Sequence, residues 1–175
     1  NVSDFRQKYY LDFVAISIAS DLVPITGENR ILAFYGLRKL NTNPSPGIEE
    51  ILKYAKVERS LKPSSKRKTI FNKELTINDL VFYIGPRINA AGRIESARDS
   101  VKLLIASKKE EATSLGNQIN TFNTTRRSLD TDITQQALDA IETDEDFKKQ
   151  KCTVLYNENW HKGVLGIVAS RLTEN

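Results

Sequence analysis

The segment from Trp160 to Arg171, WHKGVLGIVASR, has a composition suited to binding phosphate. Gly163 and Gly166 follow the apolar stretch CTVLYN at 152–157, which is predicted to be a short buried strand, and they precede a predicted helix. Glycines at such a turn let backbone N–H groups approach an anion, and the helix N-terminus carries a partial positive charge. The same segment adds hydrogen-bond donors and an aromatic ring able to stack on a base: Trp160, His161, Lys162, Ser170 and Arg171. Glycines at strand–helix turns are also ordinary packing devices, so the spacing alone leaves both interpretations open.

Two further segments contain residue types that could do chemistry. Asp21 ends the apolar stretch AISIAS and is expected to be buried, so its carboxylate must be paired, protonated or bound to a cation. Metal ligation and helix capping both satisfy that requirement. In PRINAAGR, Arg87, Asn89 and Arg93 surround small residues that would let a ligand come close, and arginines can fork onto phosphate. A plain turn with surface arginines explains the same pattern.

The remaining polar candidates are ambiguous. His161 is the sole histidine, so any imidazole chemistry must use it, although composition alone favours a solvent-facing loop position without such a role. The 56–73 stretch holds seven basic residues and one acidic residue, which fits either contact with a phosphate backbone or a solvated loop. Arg126 interrupts an apolar helix face, where it is expected to extend its charged head to water.

Composition excludes several protein classes. The chain has 175 residues, 39% hydrophobic and 27% charged, with a net charge of +4, as in a globular domain or two small ones. No apolar run is long enough to span a membrane, so no membrane association is expected. Cys152 is the sole cysteine, which rules out an internal disulfide framework and favours a reducing, cytoplasmic location. The sequence does not begin with methionine and ends inside a helical pattern, so we expect a fragment of a larger protein.

Periodicity predicts the elements that position these residues. Helices are expected from Arg30 to Leu40 after a Thr26 cap, over 47–55, over 77–84 and over 96–106, with a loop between 41 and 47. From the Ser107–Glu110 capping pattern to about Glu142, apolar residues recur at a spacing of three and four. A helix of that extent would reach about 52 Å at 1.5 Å per residue, and its narrow apolar face is typical of a connector between domains.

In combination, four motifs are recognisable: IASDLVPITGENR, PRINAAGRIESA, NTTRRSLD and NENWHKGVLGIVASRL. In this order and separation they closely resemble the RecJ family, the single-stranded-DNA-specific exonucleases of the DHH phosphoesterase superfamily. The resemblance implies an α/β fold, predominantly helical here. Residues 1–106 would end a DHH catalytic domain, 107–143 would form a long connecting helix, and 144–175 would begin a DHH-associated, substrate-binding domain.

The resemblance also implies an activity and site residues. The family hydrolyses phosphodiester bonds of single-stranded DNA in the 5′-to-3′ direction, with Mn²⁺ or Mg²⁺, in DNA repair and recombination, and helicases or single-strand-binding proteins are expected partners. Asp21 matches a metal-binding aspartate and so counts as catalytic, while Arg87 and Arg93 match catalytic arginines that face phosphates. The expected substrate-binding residues are Asn89, Trp160, His161, Lys162, Gly163, Gly166, Ser170 and Arg171.

One departure from the family pattern limits this expectation. The family's earlier Asp-rich motif and its Asp-His-His triplet are absent from this sequence, and two-metal hydrolysis needs several carboxylate and imidazole ligands. We therefore expect the 175-residue chain alone to be inactive. Two alternatives stay open: a related phosphoesterase for short oligonucleotides or nucleotide bisphosphates, and a non-catalytic paralogue that only binds nucleic acid.

Overall fold

The computed structural model describes residues 10–61, 68–143 and 152–174, and these residues are mostly helical. In chain order the elements are α1 Leu11–Ser20, α2 Gly27–Thr42, α3 Pro46–Lys53, α4 Ile77–Asp79, a π-helix Leu80–Ile84, α5 Gly85–Ile94, α6 Ala97–Ile105, α7 Lys109–Thr143 and α8 Leu165–Leu172. Within the described ranges, β-type pairing is limited to an isolated antiparallel bridge between Arg59 and Phe71. The helical part of the predicted fold class is confirmed, and no helix of the described residues is both long and apolar enough to cross a membrane.

Contacts between Cα atoms divide the chain into two compact units, Asn1–Phe122 and Asn123–Asn175. The division falls inside α7, a single helix of 35 residues over the stretch where a long helix was predicted. The assignment of residues 1–106, 107–143 and 144–175 to parts of two domains stays a prediction.

Unit 1 is a layered packing of short helices around one apolar core. Its fully buried side chains come from α1, α2, α3, the described residues between α3 and α4, the π-helix, α5, α6 and the first turns of α7. The largest are Leu40, Ile48, Ile51, Leu52, Phe71, Leu80, Ile84, Leu103 and Ile119. Glycines permit the closest approaches between these helices. A Cβ on Gly36 would lie 2.2 Å from the Leu11 carbonyl oxygen, and one on Gly47 would lie 1.8 Å from the Leu103 carbonyl oxygen.

Some helices of unit 1 begin at a side-chain cap, whereas Thr26 precedes α2 as predicted but its side chain makes no capping hydrogen bond. Ser45 accepts a hydrogen bond from the Ile48 N–H, with Pro46 in the first position of α3. Thr76 and Asp79 form a capping box at the start of α4, in which each side chain binds the other residue's backbone N–H. The predicted helix over 77–84 is therefore confirmed as an α-helix at Ile77–Asp79, and Leu80–Ile84 continues it as a π-helix.

Unit 2 has a small core made by α7 and α8. Ile133 and Ala137 of α7 pack with Val164 and Val168, and these four side chains are buried. Leu129, Leu155, Trp160 and Leu172 border this cluster.

The predicted buried strand at 152–157 is wrong. These residues form no strand, and all except Leu155 are exposed. A strand needs a hydrogen-bonded neighbour to satisfy its backbone, and the described residues offer none to this segment. The glycine-rich segment is consequently a coil-to-helix turn, and the strand component of the α/β prediction is not seen in the described part of the chain.

Candidate functional site

In unit 1, two of the predicted motifs meet although they are distant in sequence. A Cβ on Gly85, which precedes the PRINAAGR segment, would lie 3.1 Å from the Ser20 Oγ and 3.3 Å from the Ser20 Cα. Gly85 thus allows the end of α1, where Asp21 follows, to lie against the start of α5. The π-helix immediately before α5 is a feature that recurs at functional sites.

Asp21 does not have the environment that the sequence predicted. It is exposed at the C-terminal end of α1, and its backbone N–H donates to the Ser17 carbonyl at 3.1 Å. Helix α1 ends there, with Leu22 in the left-handed backbone region at φ 52°. Leu22 and Val23 are exposed as well, so the chain after α1 does not cover Asp21 with apolar side chains. The buried acid of this helix is Asp12, 2% exposed and bound by Lys39 Nζ at 3.0 Å.

Arg87 makes several contacts inside unit 1. Its Nη1 donates to the Tyr83 carbonyl at 2.7 Å, and longer bonds of 3.4 Å reach the Tyr54 carbonyl and Asn120 Oδ1. Its guanidinium carbon also lies 5.7 Å from the centre of the Tyr54 ring. Burial, and then the nearby Glu50, raise the pKa of Tyr54. The Tyr54 hydroxyl donates to Asn117 Oδ1 at 2.6 Å.

Asn89 and Arg93 occupy a different side of α5. Both are exposed, and their spacing of four residues puts them on one face of the helix. Arg87 and Arg93 are about 120° apart around the helix axis at 3.6 residues per turn. PRINAAGR is therefore helical, not a turn, and its two arginines do not point in a common direction.

In unit 2, the glycine-rich segment is fixed at its start by two hydrogen bonds. Trp160 Nε1 donates to Gln136 Oε1 of α7 at 2.9 Å. His161 Nδ1 accepts from the Gly163 N–H at 3.1 Å, so in the neutral imidazole Nε2 carries the proton. The Trp160 ring borders the core and is not fully available for stacking on a base.

The second half of the segment forms α8. Gly166 lies in its first turn, where backbone N–H groups lack intrahelical acceptors, and nothing lies within 4 Å of a Cβ placed there. Ser170 follows four residues later on the same exposed face. Lys162 is exposed before the helix.

Arg171 is paired with a buried carboxylate that was not predicted as a site residue from the sequence. Its Nη2 lies 3.0 Å from Oδ2 of Asp130, a buried carboxylate of α7, and Arg126 Nη1 lies 3.6 Å from the same oxygen. Arg126 therefore turns its head to Asp130 and to Asn123 Oδ1 at 3.4 Å instead of extending it to water. The sequence feature that could have predicted this pair is the spacing of four residues between Arg126 and Asp130 on the apolar face of the long helix.

The basic 56–73 stretch is only partly described, since Lys62, Lys66 and Arg67 lie outside the described residues. Arg59 forms a two-bond pair with Glu49, at 2.9 and 2.6 Å. Lys73 Nζ lies 2.6 Å from Asp79 Oδ1. Arg59 and Lys73 are thus each paired with a carboxylate of unit 1.

Comparison with known proteins identifies relatives of the chain. It is 32% identical to the single-stranded-DNA-specific exonuclease RecJ of Escherichia coli over 170 residues, and 32% identical to that of Bacillus subtilis over 164 residues. Each match covers 94% of this chain. The chain is similar to one segment of RecJ. The fold agrees: a crystal structure of RecJ in complex with Mn²⁺ from Thermus thermophilus superposes with a TM-score of 0.74 at 27% identity, over 94% of this chain.

The RecJ matches cover only part of each relative. The chain spans 27% of the E. coli RecJ, 19% of the B. subtilis RecJ and 22% of the T. thermophilus crystal chain. Another T. thermophilus structure contains RecJ in complex with Mg²⁺ and gives a TM-score of 0.71. No family model matches the chain.

Proposed function

We propose that this chain is part of a single-stranded-DNA exonuclease that removes nucleotides in the 5′-to-3′ direction, in a cytoplasmic DNA repair and recombination role. The observation that supports this proposal is the match to RecJ in both sequence and fold over 94% of the chain. Single-stranded DNA is the proposed substrate, and helicases or single-strand-binding proteins are the proposed partners.

The described residues contribute binding groups in this proposal. In unit 1, Asn89 and Arg93 would contact the sugar–phosphate backbone from the exposed face of α5. In unit 2, the first-turn N–H groups of α8, together with Lys162, His161 Nε2 and Ser170, would bind phosphate oxygens. Arg87 would act mainly by fixing α5 against the Tyr54 turn, because its guanidinium already binds two carbonyls and an amide.

The metal ions need ligands beyond the described residues. A group of three or more His, Cys, Asp or Glu side chains able to hold a metal does not occur among them, and Asp21 is a single exposed carboxylate. These residues alone do not fit a two-metal centre, for which several ligands must converge. Mn²⁺ or Mg²⁺ therefore belongs to the proposal for the intact protein, where Asp21 would be one ligand among others, and the 175-residue chain alone is expected to be inactive.

A substrate series with the intact protein tests the activity. A long single strand labelled at either end, the matching duplex and a dinucleotide are incubated with Mn²⁺, with Mg²⁺ and with chelator. The proposal predicts metal-dependent release of nucleotides from the 5′ end of the long single strand. Preference for the dinucleotide would favour the short-oligonucleotide phosphoesterase, and single-strand binding without cleavage would favour the non-catalytic paralogue.

A matched pair of variants tests the role of α5. Introduced into the intact protein, Arg93→Gln and Arg98→Gln each remove one exposed arginine from unit 1, but only Arg93 belongs to the PRINAAGR segment. Loss of a phosphate contact made in the transition state should lower kcat/KM about 10- to 100-fold for Arg93→Gln. Arg98→Gln should stay within about twofold, as expected for an exposed charge away from substrate. Equal effects of both variants would contradict a specific role for Arg93.

A further inference from the structure

The end of α1 and the start of α5 meet at a contact that leaves no room for a side chain. A Cβ placed on Gly85 would lie 3.1 Å from Ser20 Oγ, 3.3 Å from Ser20 Cα and 3.4 Å from the Leu80 carbonyl oxygen. Rotation of the Ser20 hydroxyl would relieve only the first of these contacts, because the other two are made with backbone atoms. The spacing of the two helix ends therefore depends on the absence of a side chain at position 85.

The π-helix before α5 holds Gly85 at this contact. The Gly85 N–H donates to the Leu80 carbonyl, five residues earlier, which is the hydrogen-bonding pattern of a π-helix. Leu80 and Ile84 are fully buried, so this turn is anchored in the core of unit 1. The end of α1 instead continues into the exposed residues Leu22 and Val23. A side chain added at position 85 would therefore displace mainly the end of α1.

The contact lies on the face of α5 that carries the proposed substrate contacts. Gly85, Asn89 and Arg93 are spaced by four residues, so they follow one another along one side of the helix. Gly85 is buried against the end of α1, whereas Asn89 and Arg93, about 6 and 12 Å further along at 1.5 Å per residue, are exposed. Asp21 follows Ser20 directly, so it begins one residue away from the contact. The Gly85 contact thus lies between Asp21 and the exposed part of this face.

We infer that Gly85 is a positioning residue, which sets the spacing between Asp21 and the exposed face of α5. This inference rests on the proposed function, in which Asp21 belongs to the reaction centre and that face of α5 contacts the DNA strand. It assigns a part in the reaction to a residue that touches neither the substrate nor the bond that is cleaved.

The geometry gives the size of the disturbance that a methyl group would cause. Carbon atoms in contact are best separated by about 3.5–4.0 Å, so a Cβ on Gly85 would move Ser20 Cα, now 3.3 Å from it, by roughly 0.2–0.7 Å. A misplacement of about 1 Å in an active site can cost on the order of 100-fold in rate. A shift of a few tenths of an ångström should therefore lower kcat about fivefold or more.

The experiment compares Gly85→Ala with the unmodified intact protein in two assays. The first measures kcat and KM for nucleotide release from a long single strand. The second measures affinity for a fluorescein-labelled oligothymidylate by anisotropy in the presence of chelator. Gly85→Ala should lower kcat about fivefold or more, whereas KM and the dissociation constant should change less than about twofold, because the residues that contact the strand are unchanged. Alanine is the better helix former, so the variant should still melt cooperatively.

Gly116→Ala is the matched control. It adds the same methyl group at a close contact between α7 and α3, where a Cβ on Gly116 would lie 2.5 Å from Glu50 Cγ. This contact is tighter than the one at Gly85, but it involves no residue of the proposed substrate-binding face, so kcat should stay within about twofold of the unmodified protein. A loss of kcat that came from general destabilisation of unit 1 would appear in both variants, whereas a positioning role lowers kcat in Gly85→Ala alone.

Several results would contradict the inference. A folded Gly85→Ala variant with normal kcat would overturn it, as would equal losses of kcat in both variants or a rise in KM at unchanged kcat. If Gly85→Ala does not melt cooperatively, Ser20→Cys replaces it, because sulfur is larger than oxygen and widens the same contact by less than a methyl group does. Lower kcat at unchanged KM in Ser20→Cys supports the positioning role, and unchanged kcat contradicts it. Absence of cleavage by the unmodified intact protein would instead refute the proposed function itself.

Discussion

Replacing Asn41 by alanine should destabilise unit 1 strongly, although the residue is far from any proposed substrate contact. Asn41 is 3% exposed at the end of α2, and its side chain joins that helix to the segment leading into α4. Its Nδ2 donates to the Leu37 and Leu75 carbonyls, each at 3.0 Å, and its Oδ1 accepts from the Leu75 N–H at 2.8 Å.

The magnitude follows from the groups that the alanine leaves behind. The N–H and carbonyl of Leu75 would both lose their buried partner, at about 1–3 kcal/mol for each unsatisfied group. Alanine is the better helix former, which returns at most about 0.7 kcal/mol. The net loss in the free energy of unfolding should therefore be about 1.3–6 kcal/mol.

Urea unfolding followed by far-ultraviolet circular dichroism measures this loss. The Asn41→Ala midpoint should fall, and the m-value should stay near that of the unmodified chain. Thr42→Ala is the control, because Thr42 is exposed and its Oγ1 donates to the Arg38 carbonyl of its own helix, so the change should stay within about 0.5 kcal/mol. An Asn41→Ala variant as stable as Thr42→Ala would refute the assigned role of these hydrogen bonds.

Three other substitutions have defined outcomes. Burial alone would raise the pKa of Asp79, but hydrogen bonds from Lys73 and Thr76 outweigh burial and lower the pKa. The ionised Asp79 therefore stabilises the fold above about pH 3.9, the pKa in the unfolded chain, and this stabilisation is lost as the pH falls through the lower pKa of the folded chain. Asp79→Asn should therefore flatten the acid limb of a stability–pH profile, and an unchanged limb would contradict the pairing. Gly47→Ala should cost about 3 kcal/mol or more in thermal unfolding, since its Cβ would meet the Leu103 backbone carbonyl, and a variant of normal stability would show that the helices can separate there. Gly166→Ala should keep or slightly raise the melting temperature, because its Cβ meets nothing, yet weaken oligothymidylate binding; unchanged binding would remove Gly166 from the phosphate-binding surface.

The sequence was most informative where one periodic pattern ran for many residues. The apolar spacing after Ser107 predicted a long helix, and α7 runs from Lys109 to Thr143, because a sustained three-four repeat is compatible with little else. Short elements were less certain. The segment 152–157 has the composition of a strand, but a strand also requires a partner, which composition cannot supply.

Burial of individual polar residues was the harder prediction. Asp21 follows an apolar run and was expected to be buried, but it lies at the exposed end of α1. The buried acid of this helix is Asp12, in its first turn. The environment of a carboxylate depends on where its helix ends and on which neighbour packs against it, and neither is visible in local sequence. Asp130 was missed although Arg126 precedes it by four residues on the same helix, because its other partner, Arg171, comes from α8.

The phosphate-binding role of Trp160–Arg171 is tested most directly by nuclear magnetic resonance of the ¹⁵N-labelled chain during titration with oligothymidylate. We predict saturable shifts of the backbone amides of Gly163, Leu165, Gly166 and Ile167 and of the Arg171 side chain, with the same affinity as the bulk binding curve. The backbone amide resonances of residues near Asn41 and Leu75 should not shift during the titration. Binding that leaves the Gly163–Arg171 resonances unmoved would contradict the proposed role of this segment.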